Sequence, residues 1–342
     1  MPRATEVTEQ NKLLHVLLIG PTKAGKTHWA MQAAEAGYNL IWPGSDNALQ
    51  TISKFPDAAK ERVFYMDFAD TSSKSRMGLL TWALLKGRPA FLWNDSQQRM
   101  LKAEDDPNSA VWRIQFDALD SRTVLVIDTW TALAHSVMRQ VATNQGKDLE
   151  DMEKADREVY GASGHQLTAI ARTLQAAPCH VIVLAHPDIF EQRRKPKGKR
   201  ISEMRESDMI IEREVHIPKS SSKPHGMNLG AHFSDVAWIE QSMEHSRRMI
   251  DFRTDPDRII GGRFGNRKSS EEYSFKALAK ALGSWSPSAE DPAPEVPAGF
   301  KIYGPGEYAK AMEVQKAEQA QSKVAHVLSS RTSPAHALGA KK

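Results

Sequence analysis

The chain has 342 residues, of which 40% are hydrophobic and 26% charged, a composition that favours a globular protein with a sizeable core. A net charge of only +4 means that an anionic partner has to be argued from where the charge lies. A single cysteine excludes an intrachain disulfide framework and a cysteine-based zinc site. Apolar runs are far shorter than a membrane span, and residues 1–12 carry no signal-peptide core, so we expect a cytoplasmic protein without a membrane partner.

Short β-rich runs alternate with helical stretches along the chain. Strands are predicted at 13–19, 39–42, 62–66, 124–127 and 181–185. Helices are predicted at 26–36 and 164–177, and in the second of these the apolar spacing that begins at Leu167 is that of one buried face. Apolar strands separated by helices predict an α/β fold with a mostly parallel central sheet that helices cover on both faces.

Composition divides the chain into four segments. They are a flexible leader at 1–12, a main domain at 13–285, a Pro-rich linker at 286–304, and a C-terminal helix with a disordered tail at 305–342. Within the main domain, residues 187–230 are polar and charged without an obvious strand, which predicts a long basic loop. The C-terminal helix is rich in Ala, Lys, Glu and Gln, and we expect it to be loosely packed or to depend on a protein partner.

The strongest motif is the run GPTKAGKT, which fits the phosphate-loop pattern G-x-x-x-x-G-K-[ST] in full. It consists of Gly20, Pro21, Thr22, Lys23, Ala24, Gly25, Lys26 and Thr27. An apolar strand enters the run and a helix leaves it, which is the context that this motif requires. The backbone N–H groups of such a loop surround phosphates, and the helix N-terminus adds a positive dipole end. We therefore expect ATP and Mg²⁺ as cofactors, with Lys26 on the β- and γ-phosphates and Thr27 on the Mg²⁺.

Carboxylates follow three of the predicted strands. The strand RTVLVID ends in Asp128, a pattern in which the carboxylate holds the Mg²⁺ shell; a helix cap is the alternative. Hydrolysis also needs a group that polarises the attacking water. Asp46 follows the second strand and is the first choice, although it is also placed to cap a helix. Asp67 and Asp70, after the third strand, are alternatives.

His186 comes directly after the strand 181–185. The carboxyl ends of parallel strands meet at one edge of the sheet, where ligands bind. We expect the side chain of His186 to donate a hydrogen bond to the γ-phosphate and so to report its presence. An ordinary histidine at a strand end is the alternative.

A cluster of positive charge begins seven residues beyond His186. It consists of Arg193, Arg194, Lys195, Lys197, Lys199 and Arg200. Phosphate backbones attract such segments through counterion release, which predicts contact with single-stranded DNA. A solvated charge run is the alternative, and aromatic side chains for base stacking are scarce nearby.

The chain resembles the RecA-like P-loop ATPases over roughly residues 12–280. The resemblance rests on GPTKAGKT, SDNAL, TVLVIDTWTAL and VIVLAHP, and it is closest to compact phage AAA-type ATP-binding proteins, some of which are single-strand-annealing recombinases. It implies a RecA-like P-loop NTPase fold, ATP hydrolysis, and action on DNA in phage-type recombination, annealing or replication in the host cytoplasm. It also implies that the DNA-binding loop comes directly after the strand that ends at His186. One departure is Asp46, where RecA relatives carry glutamate.

The resemblance also gives a role to Arg263. Ring and filament ATPases of this group carry a Lys-x-Arg-x-Gly element that reaches a neighbouring subunit's nucleotide. The run Arg263-Phe264-Gly265 matches its second half, and Gly261 replaces its lysine. An arginine supplied in trans stabilises charge on the γ-phosphate, so the resemblance implies a homo-oligomeric ring or filament. A glycine-bounded turn with surface arginines is the alternative.

Two other classes of function remain open at the level of the sequence. One is a P-loop motor or remodelling ATPase that acts on something other than DNA. The other is a nucleotide-dependent scaffold protein, in which ATP controls assembly and the turnover of ATP is incidental.

Overall fold

A computed structural model describes residues 12–45, 48–70, 75–85, 91–94, 99–100, 111–147, 157–194, 209–241, 248–265 and 273–303, with single positions at 307, 310, 313, 314 and 317. Several predicted features lie outside the described residues, namely Asp46, Lys195, Lys197, Lys199, Arg200, the leader up to residue 11 and most of the C-terminal helix and tail. The chain divides into two compact units, one within 1–91 and 114–300 and the other within 92–113 and 301–342.

Strands and helices alternate along the described chain. The strands are β1 (His15–Ile19), β2 (Asn39–Gly44), β3 (Val63–Asp67), β4 (Phe91–Asn94), β5 (Arg99–Met100), β6 (Val111–Ile114), β7 (Thr123–Asp128), β8 (His180–Ala185), β9 (Pro187–Arg194), β10 (Ile210–Pro218), β11 (Asp235–Gln241), β12 (Arg248–Asp251), β13 (Gly261–Gly262) and β14 (Phe300–Tyr303). The α-helices are α1 (Lys26–Glu35), α2 (Ala48–Ile52), α3 (Asp57–Lys60), α4 (Arg76–Leu85), α5 (Trp130–Asn144), α6 (Arg157–Gln175), α7 (Lys223–Leu229) and α8 (Phe275–Ala281). None of the helices in these ranges combines the length and the apolar composition that crossing a membrane requires.

The first unit is built on a mixed sheet that has eight strands within the described residues. Seven of them follow the order β12-β11-β1-β8-β7-β2-β3, and β13 pairs with β11. The six strands from β11 to β3 are parallel, while β12 and β13 run antiparallel to β11. The predicted α/β fold with a mostly parallel sheet is therefore confirmed. All the strands predicted from the sequence are present, and their carboxyl ends lie at one edge.

Apolar side chains on both faces of the strands hold this sheet between helices. Every residue of β1, β7 and β8 is buried, as expected for parallel strands covered on both sides. Val16 and Leu18 belong to a core cluster that includes Trp29 of α1 and Phe275 of α8. On the other face, α4 contacts β2 and α5 contacts β8, and α6 packs against these two helices. In α6, the predicted apolar face that begins at Leu167 is fully buried.

Residues 187–230 contain more regular structure than the sequence indicated. Strands β9 and β10 form an antiparallel hairpin in which Pro187 pairs with Pro218 and Arg194 pairs with Ile210. The hairpin starts one residue after His186, and α7 follows its second strand. Residues 195–208, between the two strands, lie outside the described residues. The hairpin therefore projects from the carboxyl edge of the sheet.

The start of the predicted linker is packed against the amino edge of the same sheet. Tyr38 Oη donates a hydrogen bond to the carbonyl of Trp285 at 2.6 Å. Arg122 forms an ion pair with Asp291 at 3.0 Å and lies over the ring of Trp285. These contacts fix the chain that leaves α8.

The second unit contains a smaller sheet. Its order in the described residues is β14-β6-β4-β5, and β4 pairs with β5 in antiparallel fashion. The described positions from 307 to 317 have helical backbone, where the sequence predicts a helix.

Candidate nucleotide-binding site

The loop between β1 and α1 has the backbone that the phosphate-loop motif predicts. Lys23 and Gly25 have positive φ values of 66° and 101°. Gly20 packs so closely on β11 that a Cβ there would lie 2.3 Å from the carbonyl oxygen of Ile239, so only glycine fits. The N–H of Gly20 donates to the carbonyl of Ala185 at 3.2 Å. The loop is therefore fixed between the carboxyl ends of its two neighbouring strands.

Lys26 is the first residue of α1 and is buried, with 6% of its surface exposed. Its Nζ donates to the carbonyl oxygens of Gly20 at 2.7 Å and Pro21 at 2.9 Å. Burying a charge is costly unless strong partners compensate. Both of these carbonyls are neutral, and a phosphate oxygen forms a stronger, charge-assisted hydrogen bond with an ammonium group. The ammonium group is thus held over the loop in a position suited to an anionic ligand.

Thr27 and Asp128 come together at the end of β7. Thr27 Oγ1 donates to Asp128 Oδ2 at 3.4 Å, and Asp128 is 2% exposed. The cap of α5 is Thr129, whose side chain accepts from the N–H of Ala132 at 3.1 Å, so the capping role left open for Asp128 belongs to its neighbour. A hydroxyl and a carboxylate are hard oxygen donors of the kind that Mg²⁺ prefers.

The donor set also matches the way that Mg²⁺ binds beside nucleotides. Among the described residues, no group of three or more His, Cys, Asp or Glu side chains is placed to hold a metal ion by itself. Mg²⁺ commonly uses one or two carboxylates together with substrate phosphates and water. Thr27 and Asp128 would therefore hold the ion together with a bound nucleotide.

His186 lies at the same edge, in a backbone position fixed from two sides. Its N–H donates to Thr131 Oγ1 at 3.0 Å, and its carbonyl accepts from the N–H of Lys219 at 2.8 Å. The preceding residue, Ala185, accepts from Gly20 of the phosphate loop. His186 thus joins the loop region, the start of α5 and the base of the hairpin. Its contact with a γ-phosphate stays a prediction.

The carboxylates considered for water activation have different positions. Asp46 lies outside the described residues, but the N–H of Ser45 donates to the backbone carbonyl of Asp128 at 2.8 Å. The chain therefore leaves β2 beside the candidate Mg²⁺ ligand. Asp67 is the last residue of β3, and its backbone pairs with that of Gly44.

Asp70 has a structural task. Its Oδ1 accepts hydrogen bonds from the N–H of Met77 at 2.9 Å and from Ser136 Oγ at 2.8 Å. These bonds join the first turn of α4 to α5. A carboxylate oxygen held in this way is less available to polarise a water molecule, which disfavours Asp70 among the alternatives.

Arg263 lies at the opposite edge of the sheet from the phosphate loop. Its side chain forms an ion pair with Asp235 at 2.6 Å, and Asp235 is fully buried. The same guanidinium donates to Ser234 Oγ at 2.8 Å and to the carbonyl of Leu13 at 3.2 Å. Asp235 pairs with Val16, four residues before Gly20, or about 13 Å along the strand. The ion pair with a buried carboxylate of its own chain favours the glycine-bounded turn over an arginine supplied to a neighbouring subunit.

A different arginine contacts the phosphate loop. Arg248 opens β12, opposite Gln241 at the carboxyl end of β11. A Cβ on Gly25 would lie 2.4 Å from its Cδ and Nε, so its side chain packs on the loop backbone. Burial and the positive charge of Arg248 lower the pKa of His28, in the first turn of α1. No sequence motif marks Arg248, because its position depends on the antiparallel pairing of β12.

The two described residues of the basic segment are paired with acidic neighbours. Arg193 Nε donates to Glu191 Oε2 at 2.7 Å, and Arg194 Nε lies 2.9 Å from Glu212 Oε1. These pairs lie on the surface of the hairpin, where ion pairs are weak and open to competition.

The fold and the loop together define a P-loop nucleotide-binding protein. A family model described as an AAA domain matches residues 12–217, which is more than half of the chain and includes the phosphate loop, Asp128 and His186. The chain therefore belongs to this family of AAA-type P-loop ATPases. No curated protein matches the chain.

Proposed function

We propose that this protein hydrolyses ATP and acts on single-stranded DNA, in recombination, strand annealing or replication of the phage type. The observation that carries the proposal is continuity along the chain. One strand, β8, ends beside the phosphate loop and continues through His186 into the β9–β10 hairpin. The hairpin leads into the basic segment that begins at Arg193.

In the proposed reaction, a water molecule attacks the γ-phosphorus of ATP and ADP leaves. The loop N–H groups and Lys26 bind the phosphates and stabilise the charge that develops on them. Thr27 and Asp128 would hold Mg²⁺, which when bound would neutralise charge on the β- and γ-phosphates. Asp46 is the first candidate to polarise the water, and His186 is the candidate contact to the γ-phosphate.

DNA is favoured as the partner by the charge of the hairpin. Six of the eight residues 193–200 are basic. The ion pairs of Arg193 and Arg194 with acidic neighbours are exposed, and a polyanion competes with such pairs at low cost. A homo-oligomeric ring or filament is part of the proposal through the family resemblance alone.

A second function is favoured by apolar residues on the same hairpin. Ile189, Ile210 and Ile211 are 41%, 45% and 47% exposed. Exposed aliphatic side chains fit a protein surface better than a phosphate backbone. A remodelling ATPase that acts on a protein is therefore the alternative.

The ATPase rate with and without single-stranded DNA tests the proposal. We expect DNA to raise the rate, and the Lys26→Ala variant to be inactive in both conditions. A measurable rate that DNA leaves unchanged would favour the remodelling ATPase. A rate near zero with nucleotide-dependent oligomers would favour a scaffold.

The basic segment gives a second test. The variant neutralises Arg193, Arg194, Lys195, Lys197, Lys199 and Arg200. Each phosphate contact to a single strand contributes about 0.7 to the slope of log K against log salt. Loss of three contacts should therefore lower the slope by about 2. An unchanged slope would place the DNA site elsewhere or remove it.

A further inference from the structure

A cavity of about 610 Å³ lies at the carboxyl edge of the sheet, beside the ends of β2, β7 and β8. Its wall includes Thr131 of α5, His186, and Lys219–Ser221 at the base of the hairpin. The phosphate-loop residues 20–27, all of them described, do not line it. The cavity is therefore a space distinct from the phosphate loop.

One polar group in this wall has no hydrogen-bond partner among the described residues. Ser221 is only 5% exposed, and its Oγ is buried without a partner there. Its neighbour Ser220 differs, since Ser220 Oγ accepts from Trp130 Nε1 at 3.1 Å and pairs with His225 Nδ1 at 2.7 Å. Buried hydroxyl groups are nearly always paired, because an unpaired one loses its hydrogen bonds to water without replacement. A ligand group that bonds to Ser221 would replace those hydrogen bonds.

The rest of the wall combines apolar and charged groups. Met77, Ala132 and Met138 supply an apolar surface. Lys219, which is exposed and whose N–H donates to the carbonyl of His186, supplies a positive charge. The carboxylate of Asp70 also lines the wall and accepts hydrogen bonds from Met77 and Ser136. The volume falls within the range of about 300–1,000 Å³ usual for small-ligand pockets. These features suit a ligand with a flat apolar body, hydrogen-bonding edges and one negative group.

We propose that this cavity holds one nucleotide of a bound single strand, with the phosphate at Lys219 and the base against the apolar wall. The inference rests on the proposed action on DNA and assigns the strand a site at the base of the hairpin. Single-strand sites usually combine a positive groove with surfaces that receive the bases. Lys219 and Ser221 supply a cation and a hydroxyl where β10 leaves the hairpin.

The charge of Lys219 is tested against a matched lysine. Lys219 and Lys223 are both exposed and flank the same three serines, but Lys223 does not line the cavity. The affinity of each Lys→Ala variant for a fluorescein-labelled oligothymidine is measured by anisotropy over a series of salt concentrations. We expect Lys219→Ala to weaken binding about tenfold and to lower the salt slope by about 0.7. We expect Lys223→Ala to change affinity less than threefold.

The apolar wall is tested by filling it. In Ala132→Phe, a ring occupies the space assigned to the base, and we expect affinity for the oligonucleotide to fall about tenfold. Thermal unfolding and affinity for a fluorescent ATP analogue, measured on each variant, separate this effect from damage to the fold or the phosphate loop. A 4-thiothymidine oligonucleotide should also crosslink to the wild-type peptides that contain Met138 or Ser221.

The outcomes separate this inference from the proposed function. Wild-type DNA binding with no loss in Lys219→Ala and Ala132→Phe would overturn the cavity assignment and leave the action on DNA standing. Equal losses of affinity in Lys219→Ala and Lys223→Ala would also overturn it, because they would show that binding depends on general positive charge and not on the cavity. No DNA binding by the wild type would overturn both. Free thymidine monophosphate that binds through Lys219, with oligonucleotide binding unaffected, would show a small-molecule site instead.

Discussion

The buried polar groups at the two edges of the main sheet differ in the strength of their hydrogen-bond partners. At the amino edge, Asp235 is fully buried and is met by the guanidinium and backbone N–H of Arg263. His180 is also fully buried and accepts from the N–H of Leu14 at 2.9 Å, with Ser284 Oγ 3.1 Å from its other ring nitrogen. Each of these groups is matched by partners from distant parts of the chain.

At the carboxyl edge, the hydrogen bonds include neutral and long ones. Lys26 Nζ donates to two neutral carbonyls, and Thr27 Oγ1 donates to Asp128 Oδ2 at the long distance of 3.4 Å. Ser221 Oγ has no partner among the described residues. Buried polar groups that are fully hydrogen-bonded within the protein contribute to stability. Buried polar groups that could form stronger hydrogen bonds with a ligand indicate a binding site. The amino edge therefore serves stability, and the carboxyl edge is suited to ligand binding.

The largest effect is expected for Lys26→Ala. Removal of the ammonium group should lower the ATPase rate by about two to three orders of magnitude, the usual loss for one preorganised donor. The thermal unfolding midpoint should change little, since Lys26 is held by backbone carbonyls that water can satisfy. Lys280→Ala, an exposed lysine of α8 outside the loop, is the control and should keep the wild-type rate. A Lys26→Ala rate within a factor of two of wild type would show that the phosphate-loop assignment is wrong.

Arg263→Ala tests the amino edge. Loss of the guanidinium leaves the buried Asp235 carboxylate without its charged partner, and we expect the free energy of unfolding to fall by about 3 kcal/mol. Urea denaturation of Arg263→Ala, Asp235→Ala and the double variant measures the coupling of the pair.

The same variant tests the role implied by the family resemblance. Because Arg263 has a structural role here, folded Arg263→Ala subunits should keep their ATPase activity, and mixed oligomers with Lys26→Ala subunits should show no more activity than the Arg263→Ala subunits alone. Arg263→Ala subunits that are inactive alone but active in such mixtures would show an arginine supplied in trans, and would contradict the structural role of Arg263 at the amino edge.

A smaller effect at the amino edge concerns pH. Burial lowers the pKa of His180 to about 3, whereas a histidine in an unfolded chain titrates near 6.5. The unfolded chain therefore binds a proton that the folded protein excludes, so this contribution to stability is complete above pH 6.5 and is lost as the pH falls towards 3. Between pH 6.5 and 5 the loss is about 2 kcal/mol.

The variant His180→Asn removes this titration and keeps an acceptor for the N–H of Leu14. Urea unfolding at pH 7.5 and pH 5 should show a smaller pH-dependent loss of stability in the variant than in the wild type. Equal losses in the two proteins would mean that His180 is not the source of the acid sensitivity.

The parts of this molecule that could be predicted from sequence are those encoded locally. The strands β1, β7 and β8 are continuous apolar runs, and the phosphate loop is eight consecutive residues, so both are visible without tertiary information. Lys26, Thr27 and Asp128 meet because parallel strands bring their carboxyl ends to one edge.

The rest depends on contacts between distant residues. The outer half of the β9–β10 hairpin is exposed, so it lacks the alternating pattern by which strands are recognised. The partner of Arg263 lies 28 residues earlier in the chain, and the contact of Arg248 with Gly25 requires β12 to turn back on β11. Charge and glycine content in the GGRFGNR run could not distinguish these arrangements.

The smallest effect is expected at Arg248, the first residue of β12, and its control is Arg253, just after the end of the same strand. Arg248 packs on Gly25 of the phosphate loop, whereas the exposed Arg253 pairs with Asp251, with 2.7 Å between Nη2 and Oδ2. A guanidinium beside the N–H groups of the loop adds positive potential where phosphates are expected to bind. We expect Arg248→Ala to weaken the binding of a fluorescent ATP analogue about five- to tenfold, a smaller loss of affinity than the removal of one partner of a buried charge pair causes.

Arg253→Ala removes the same charge from the same region and should change affinity less than twofold, since its side chain faces water. Arg248→Lys should recover part of the loss, because it restores the charge without the planar guanidinium. Equal affinities for Arg248→Ala and Arg253→Ala would mean that Arg248 only covers the loop, and the ligand-binding character of the carboxyl edge would then rest on Lys26, Thr27 and Asp128 alone.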